Sequence, residues 1–129
     1  MRDHRRRLRD ILEAIGHIER YAVRGREAFN EDELIQNWCL RHLQIIGEAV
    51  RALPDEIRRR SPSIPWSQIA GMRHVLVHDY FEIDADLVWD TVERDLPKLR
   101  RQIETLLAVL EGESQHDASY AAPGTEQDQ

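Results

Sequence analysis

A chain of 129 residues with 41% hydrophobic and 33% charged residues is enough for one globular domain around one core, and the balance excludes a fibrous or wholly disordered chain. No apolar run approaches the ~18 residues of a membrane span, and the basic N-terminus has no apolar stretch behind it to form a secretory signal, so the expected location is the cytoplasm, with no membrane partner. A net charge of −6 argues against a dedicated nucleic-acid coat, and the single cysteine, Cys39, excludes an internal disulfide and a zinc-thiolate centre.

The first predicted element runs from about Asp3 to Val23. Leu8, Ile11, Leu12, Ile15 and Ile18 recur there at three- and four-residue steps, the signature of an amphipathic helix, and Gly25 ends it. A second, long helix follows Asn30-Glu31-Asp32-Glu33, where Asn30 is the expected cap and Glu33 bonds back to it. Its apolar stripe is Leu34, Ile35, Trp38, Ile45, Ile46, Ala49, Val50 and Leu53, and it stops before Pro54. Residues 54–65 read as irregular or as one short helical turn, because Pro62 and Pro65 remove backbone donors. A third helix is predicted from Trp66 to Val77, with Pro65 at its first position. Asp84 caps a fourth, whose apolar face is Leu87, Val88, Val92, Leu96, Leu99, Ile103, Leu106, Leu107 and Leu110. Pro97 predicts a kink or a break in it and Gly112 its end.

Residues 113–129 are polar and small without periodicity, and read as a disordered tail. The domain is therefore residues 1–112, and the fold class is all-α, an antiparallel bundle of four to five helices. Of the 18 basic residues, 17 are arginine. The runs Arg5, Arg6, Arg7, Arg9 and Arg58, Arg59, Arg60 read first as solvated helix ends, although arginine forks also suit phosphate.

Chemistry concentrates in Gly71-Met72-Arg73-His74-Val75-Leu76-Val77-His78-Asp79-Tyr80-Phe81. At about 100° per residue, Arg73 and Tyr80 share one helical face, while His74 and His78 share another. Arg73 and His78 are thus splayed on a regular helix. They converge only if the helix loosens near His78 or if a second subunit completes the site. His78 can exchange a proton near neutral pH, and Arg73 can hold a phosphate. Without a serine or cysteine beside a base, that pair suits RNA cleavage, in which the substrate's 2′-hydroxyl is the nucleophile. Three other readings stay open: a metal held by His74 and His78 at i, i+4 with Asp79 or Glu82; a packed structural histidine; and plain core roles for Tyr80 and Phe81.

Arg73-x4-His78-x-Tyr80 resembles the motif of HEPN domains. Ile45-Ile46-Gly47-Glu48-Ala49, Ile64-Pro65-Trp66-Ser67-Gln68-Ile69-Ala70-Gly71-Met72, Trp89-Asp90-Thr91-Val92 and Asp95-Leu96-Pro97-Lys98-Leu99 narrow the resemblance to the HepT-like branch, over roughly residues 5–110. The resemblance implies a metal-independent endoribonuclease toxin without cofactor. It also implies a homodimeric helical bundle with the active site near the dimer cleft. The implied partner is a nucleotidyltransferase antitoxin of the MNT type, which transfers AMP from ATP to the toxin. Carried onto this chain, Arg73 and His78 are catalytic and Tyr80 is the AMP acceptor. His74 stands where the family more often has asparagine and supports Arg73 or phosphate. Glu48 is a supporting residue, chiefly a structural partner for Arg73. The rival reading is a non-catalytic helical subunit of a nucleotidyltransferase complex.

Overall fold

A computed structural model of the chain describes the backbone of residues 4–77 and 84–127, and the side chains of residues 4–71 and 84–113. The described elements are α1 (His4–Ala22), α2 (Arg26–Glu31), α3 (Glu33–Ala52), α4 (Asp55–Arg59), α5 (Trp66–Val77), α6 (Ala85–Asp90), a π-turn (Thr91–Asp95) and α7 (Leu96–Gln127). No strand occurs among the described residues. The all-α bundle is built on α1, α3, α5 and α7, with the shorter helices as corners.

The periodicity of α1 translates directly into burial, with Leu8, Ile11, Ile15 and Ile18 all fully enclosed. Gly25 turns the chain with φ 93°, a left-handed conformation that glycine adopts without a Cβ penalty. The antiparallel packing of α1 on α7 is marked by two ion pairs. Arg9 Nη2 reaches Glu111 Oε2 at 2.9 Å near one end, and Arg100 grips Glu19 near the other. Against α3, the Trp38 indole Nε1 donates to the His17 carbonyl at 2.8 Å.

Several local expectations need correction. The cap of α3 is Asp32, not Asn30. Its carboxylate accepts from Leu34 N at 2.9 Å and Ile35 N at 3.4 Å, while Asn30 lies inside α2. Leu34 and Ile45 do not belong to the buried stripe and are 80% and 37% exposed. The core face of α3 carries Ile35, Cys39, Leu43, Ile46 and Val50 instead, an i, i+4, i+8 pattern that the polar-looking Cys39 obscures. Pro65 precedes the first helical residue of α5 rather than occupying that position, and its carbonyl accepts from Ile69 N at 3.0 Å.

The disturbance expected at Pro97 comes earlier, as the π-turn, where Leu96 N bonds back to Thr91 O. A proline ring collides with the carbonyl four residues before it, here that of Glu93. Widening the preceding turn relieves that contact, and Pro97 then sits at the second position of α7. Nor does Gly112 end the last helix, since the backbone of α7 continues to Gln127. Glycine inside a helix costs about 1 kcal/mol against alanine but does not forbid it. The side chains of the segment expected to be a tail lie outside the described residues from 114 onward.

Burial governs the one cysteine. The Cys39 thiol is enclosed in the core, and desolvation pushes its pKa up to about 11. A raised thiol pKa favours the neutral form in the folded state. The resulting stability is complete below the unfolded value and is lost as pH climbs through about 11. Alkylation of the native protein by iodoacetamide at pH 8 should be at least ~100-fold slower than that of a free cysteine, and unfolding in guanidinium should restore the rate.

Candidate active site

The helix that carries the expected site residues Arg73 and His74 is α5, and its start is firmly held. Trp66 is buried, and its indole Nε1 donates to the carbonyls of Arg58 at 2.9 Å and Ser61 at 3.0 Å. Ile64 and Ile69 bury beside it, and α5 packs extensively along α3. A bifurcated indole bond closes the loop after α4 and fixes the direction in which α5 departs. At 1.5 Å rise per residue, position 73 lies about 10 Å along the axis from Trp66.

The structure places the expected site residues unequally. The backbone of Arg73 and His74 is helical within α5, but their side chains are outside the described residues. His78 and Tyr80 lie outside them altogether; the described helix ends at Val77, one position before His78. Glu48 is described and exposed on α3, in the last two turns of that helix. Among the described residues, no group of three His, Cys, Asp or Glu side chains is placed to hold a metal.

Two arrangements escape a reading by helical period alone. The basic runs, 49 positions apart when counted from Arg9 to Arg58, meet at one end of the bundle. Arg9 pairs with Glu111, and Arg60 pairs with Glu113 on the same helix. Arg58 pairs locally with Asp55. The second arrangement is a cluster of tilted and edge-on rings between α1 and α3. Trp38 lies 4.3 Å from His42 and 5.7 Å from Tyr21, centroid to centroid, and His17 lies 5.0 Å from His42. His42 is buried, and its Nδ1 donates to the Trp38 carbonyl at 2.8 Å, which sets its tautomer. Helical spacing brings Trp38 and His42 together, but only the packing of α1 on α3 adds His17 and Tyr21.

Comparison with known proteins connects this helix to a family. The family described as Ribonuclease HepT-like matches residues 11–106, an interval that encloses all of α5 and the motif positions 73–80. A Thermococcus cleftensis protein named "Probable ribonuclease HepT" is 41% identical over 109 residues, 81% of this chain and 96% of that protein. Two relatives with provisional RNase names are also similar. One, from Caldanaerobacter subterraneus subsp. tengcongensis, is 39% identical over 90 residues, 70% of this chain and 80% of its own. The other, from Methanocaldococcus jannaschii, is 34% identical over 116 residues, 89% of this chain and 96% of its own. No solved structure gives a significant match. The agreement extends from α1 into α7, across the helix bearing Arg73, and the chain belongs to the HepT-like ribonuclease family.

Proposed function

We propose that this ribonuclease is a metal-independent endoribonuclease, the toxin of a toxin–antitoxin pair, acting as a homodimer in the cytoplasm. The carrying observation is that the family match over residues 11–106 encloses Arg73-x4-His78-x-Tyr80, with Arg73 on a helix whose start is anchored by Trp66. In the proposed reaction His78 takes the proton of a 2′-hydroxyl. The O2′–P bond forms as the P–O5′ bond breaks, and the leaving 5′-oxygen receives a proton. Arg73 holds the non-bridging oxygens of the crowded phosphate, where negative charge builds up. The products are a 2′,3′-cyclic phosphate and a 5′-hydroxyl. His74 and Glu48 act as supports, His74 by contacting phosphate or Arg73 and Glu48 by positioning.

Silencing is proposed to proceed by AMP transfer onto Tyr80 by an MNT-type nucleotidyltransferase. The phenol oxygen attacks the α-phosphorus of ATP and pyrophosphate leaves. The added phosphate and adenosine then sit two residues from His78, bringing negative charge to a site built for an RNA phosphate. Binding and cleavage are lost together.

The test is cleavage of a defined RNA by purified protein in excess EDTA, with end-group analysis of the fragments. Undiminished cleavage leaving cyclic phosphate ends is expected. Abolition by EDTA, or 3′-hydroxyl ends, would refute the mechanism. With partner and α-labelled ATP present, label should enter the wild type and not Tyr80→Phe. A folded chain that neither cleaves RNA nor arrests growth would instead be a non-catalytic subunit of a nucleotidyltransferase complex.

A further inference from the structure

Beside the start of α5 lies a cavity of about 410 Å³, within the range of ~300–1,000 Å³ typical of small-ligand sites. Its floor is apolar, made by Pro65 and Ile69 at the start of α5 and by Leu96 and Leu99 of α7. Its rim is polar, made by Gln68, Asp95, Lys98 and Gln102. Lys98 is the only lysine in a chain with 17 arginines. The side chains of Gln68, Asp95 and Lys98 make no hydrogen bond or ion pair among the described residues, although Asp95 and Lys98 stand one helical turn apart. Gln102 makes a single bond, its amide donating to the Ser63 carbonyl at 3.4 Å.

The rim residues Asp95, Lys98 and Gln102 close and follow the π-turn. The widened turn over Thr91–Asp95 shifts the register of everything after it. Positions 95, 98 and 102, spaced i, i+3 and i+7, then fall on one edge, facing Gln68 and Ile69 across the cavity. Thr91 contributes no free donor, because its hydroxyl is spent on the Leu87 carbonyl at 2.9 Å. The result is an apolar slot bordered by one carboxylate, two amides and one compact ammonium. Those groups match the parts of a nucleotide. The flat face of a base suits an aliphatic floor, its amino and ring N–H edge suits a carboxylate and amides, and its phosphate suits a lysine point charge.

We infer that this cavity is a nucleotide subsite of the ribonuclease, seating one unpaired base of the RNA with Asp95 and the glutamines on its edge and its phosphate on Lys98. The inference rests on the ribonuclease reading of the motif helix. Position 73 is one turn, about 6 Å of axial rise, beyond Ile69 on the same helix. A base held in the cavity therefore places its strand beside the motif and selects which phosphodiester bond is presented.

A 2′-O-methyl RNA tetranucleotide of mixed sequence cannot be cleaved and serves as the probe. Its affinity is measured by calorimetry for wild type, Lys98→Glu, Asp95→Asn and Gln102→Trp, with thermal unfolding as the check on folding. Lys98→Glu and Gln102→Trp should weaken binding at least tenfold. Asp95→Asn should change the ranking among tetranucleotides that differ in one base. In cleavage of the natural strand the same variants should raise KM with kcat nearly unchanged. Folded Lys98→Glu and Gln102→Trp variants that bind the tetranucleotide within twofold of wild type overturn the inference, as does a wild type that does not bind it at all. Binding of nucleoside 5′-monophosphates alone, with strand binding indifferent to the variants, also overturns it. If wild type binds the probe at the cavity yet cleaves no RNA, the ribonuclease reading falls while the nucleotide site stands.

Discussion

RNA cleavage should fall by about 10²–10⁴-fold in His78→Ala, the contribution typical of a positioned acid–base group. Arg73→Ala should lose a comparable factor of ~10²–10³, because a cationic clamp on a charged transition state carries several kcal/mol of the barrier. The two effects should be far from additive. Once the phosphate is unclamped, the proton transfer has little left to accelerate, so the double variant should resemble the worse single one. Arg73→Lys is the informative intermediate, since it keeps the charge and loses the planar fork. Single-turnover cleavage of one labelled RNA measures all four, with circular dichroism to verify folding. If growth arrest and cleavage persist in both single variants, the motif is not the active site.

Phe29→Ala should destabilise the fold by about 3–5 kcal/mol, the usual cost of emptying a large aromatic site. Phe29 is 1% exposed, and its ring lies 5.2 Å from that of Trp89, which ties the short helix α2 to α6. With 6 residues α2 is not stable alone and depends on this contact, whereas α6 runs on through the π-turn into α7. Against a total stability of ~5–15 kcal/mol for an ordinary domain, that loss is large. Urea unfolding should show it as a lowered midpoint with an unchanged slope. Val23→Ala, at a position 81% exposed, should stay within about 0.5 kcal/mol and is the matched control.

What could be read from the chain follows from how local each signal is. The core of α1 is a strict period of leucine and isoleucine, and every one of its predicted positions except the half-buried Leu12 is enclosed. The start of α5 at Trp66 is legible because Pro62 and Pro65 disfavour an earlier one. The face of α3 was misread where apolar residues are exposed and a cysteine is not. Period alone cannot rank Leu34 against Cys39; only the neighbouring helix α1 does that. The π-turn is a tertiary answer to Pro97, so its displacement upstream had no local marker. The cavity beside α5 needs Gln68 and Lys98, 30 positions apart, to face each other, which no single-helix pattern encodes. The family was legible from the residues around the Arg73-x4-His78 spacing.

The indole clamp at Trp66 has a mechanical consequence. With its first residue pinned to the carbonyls of Arg58 and Ser61 and its side packed along α3, α5 takes its direction from that end, so a change of tilt there would act along the helix as along a lever. From Trp66 to Val77 the lever is about 16 Å long, so a tilt of about 5° at the hinge moves its far end by about 1.4 Å. Displacements of about 1 Å at a reacting group can cost on the order of 10²-fold in rate. The short loop between α4 and α5 is therefore a calibration screw. Substitutions there would touch none of the proposed reacting groups, yet would shift the part of α5 that carries position 73.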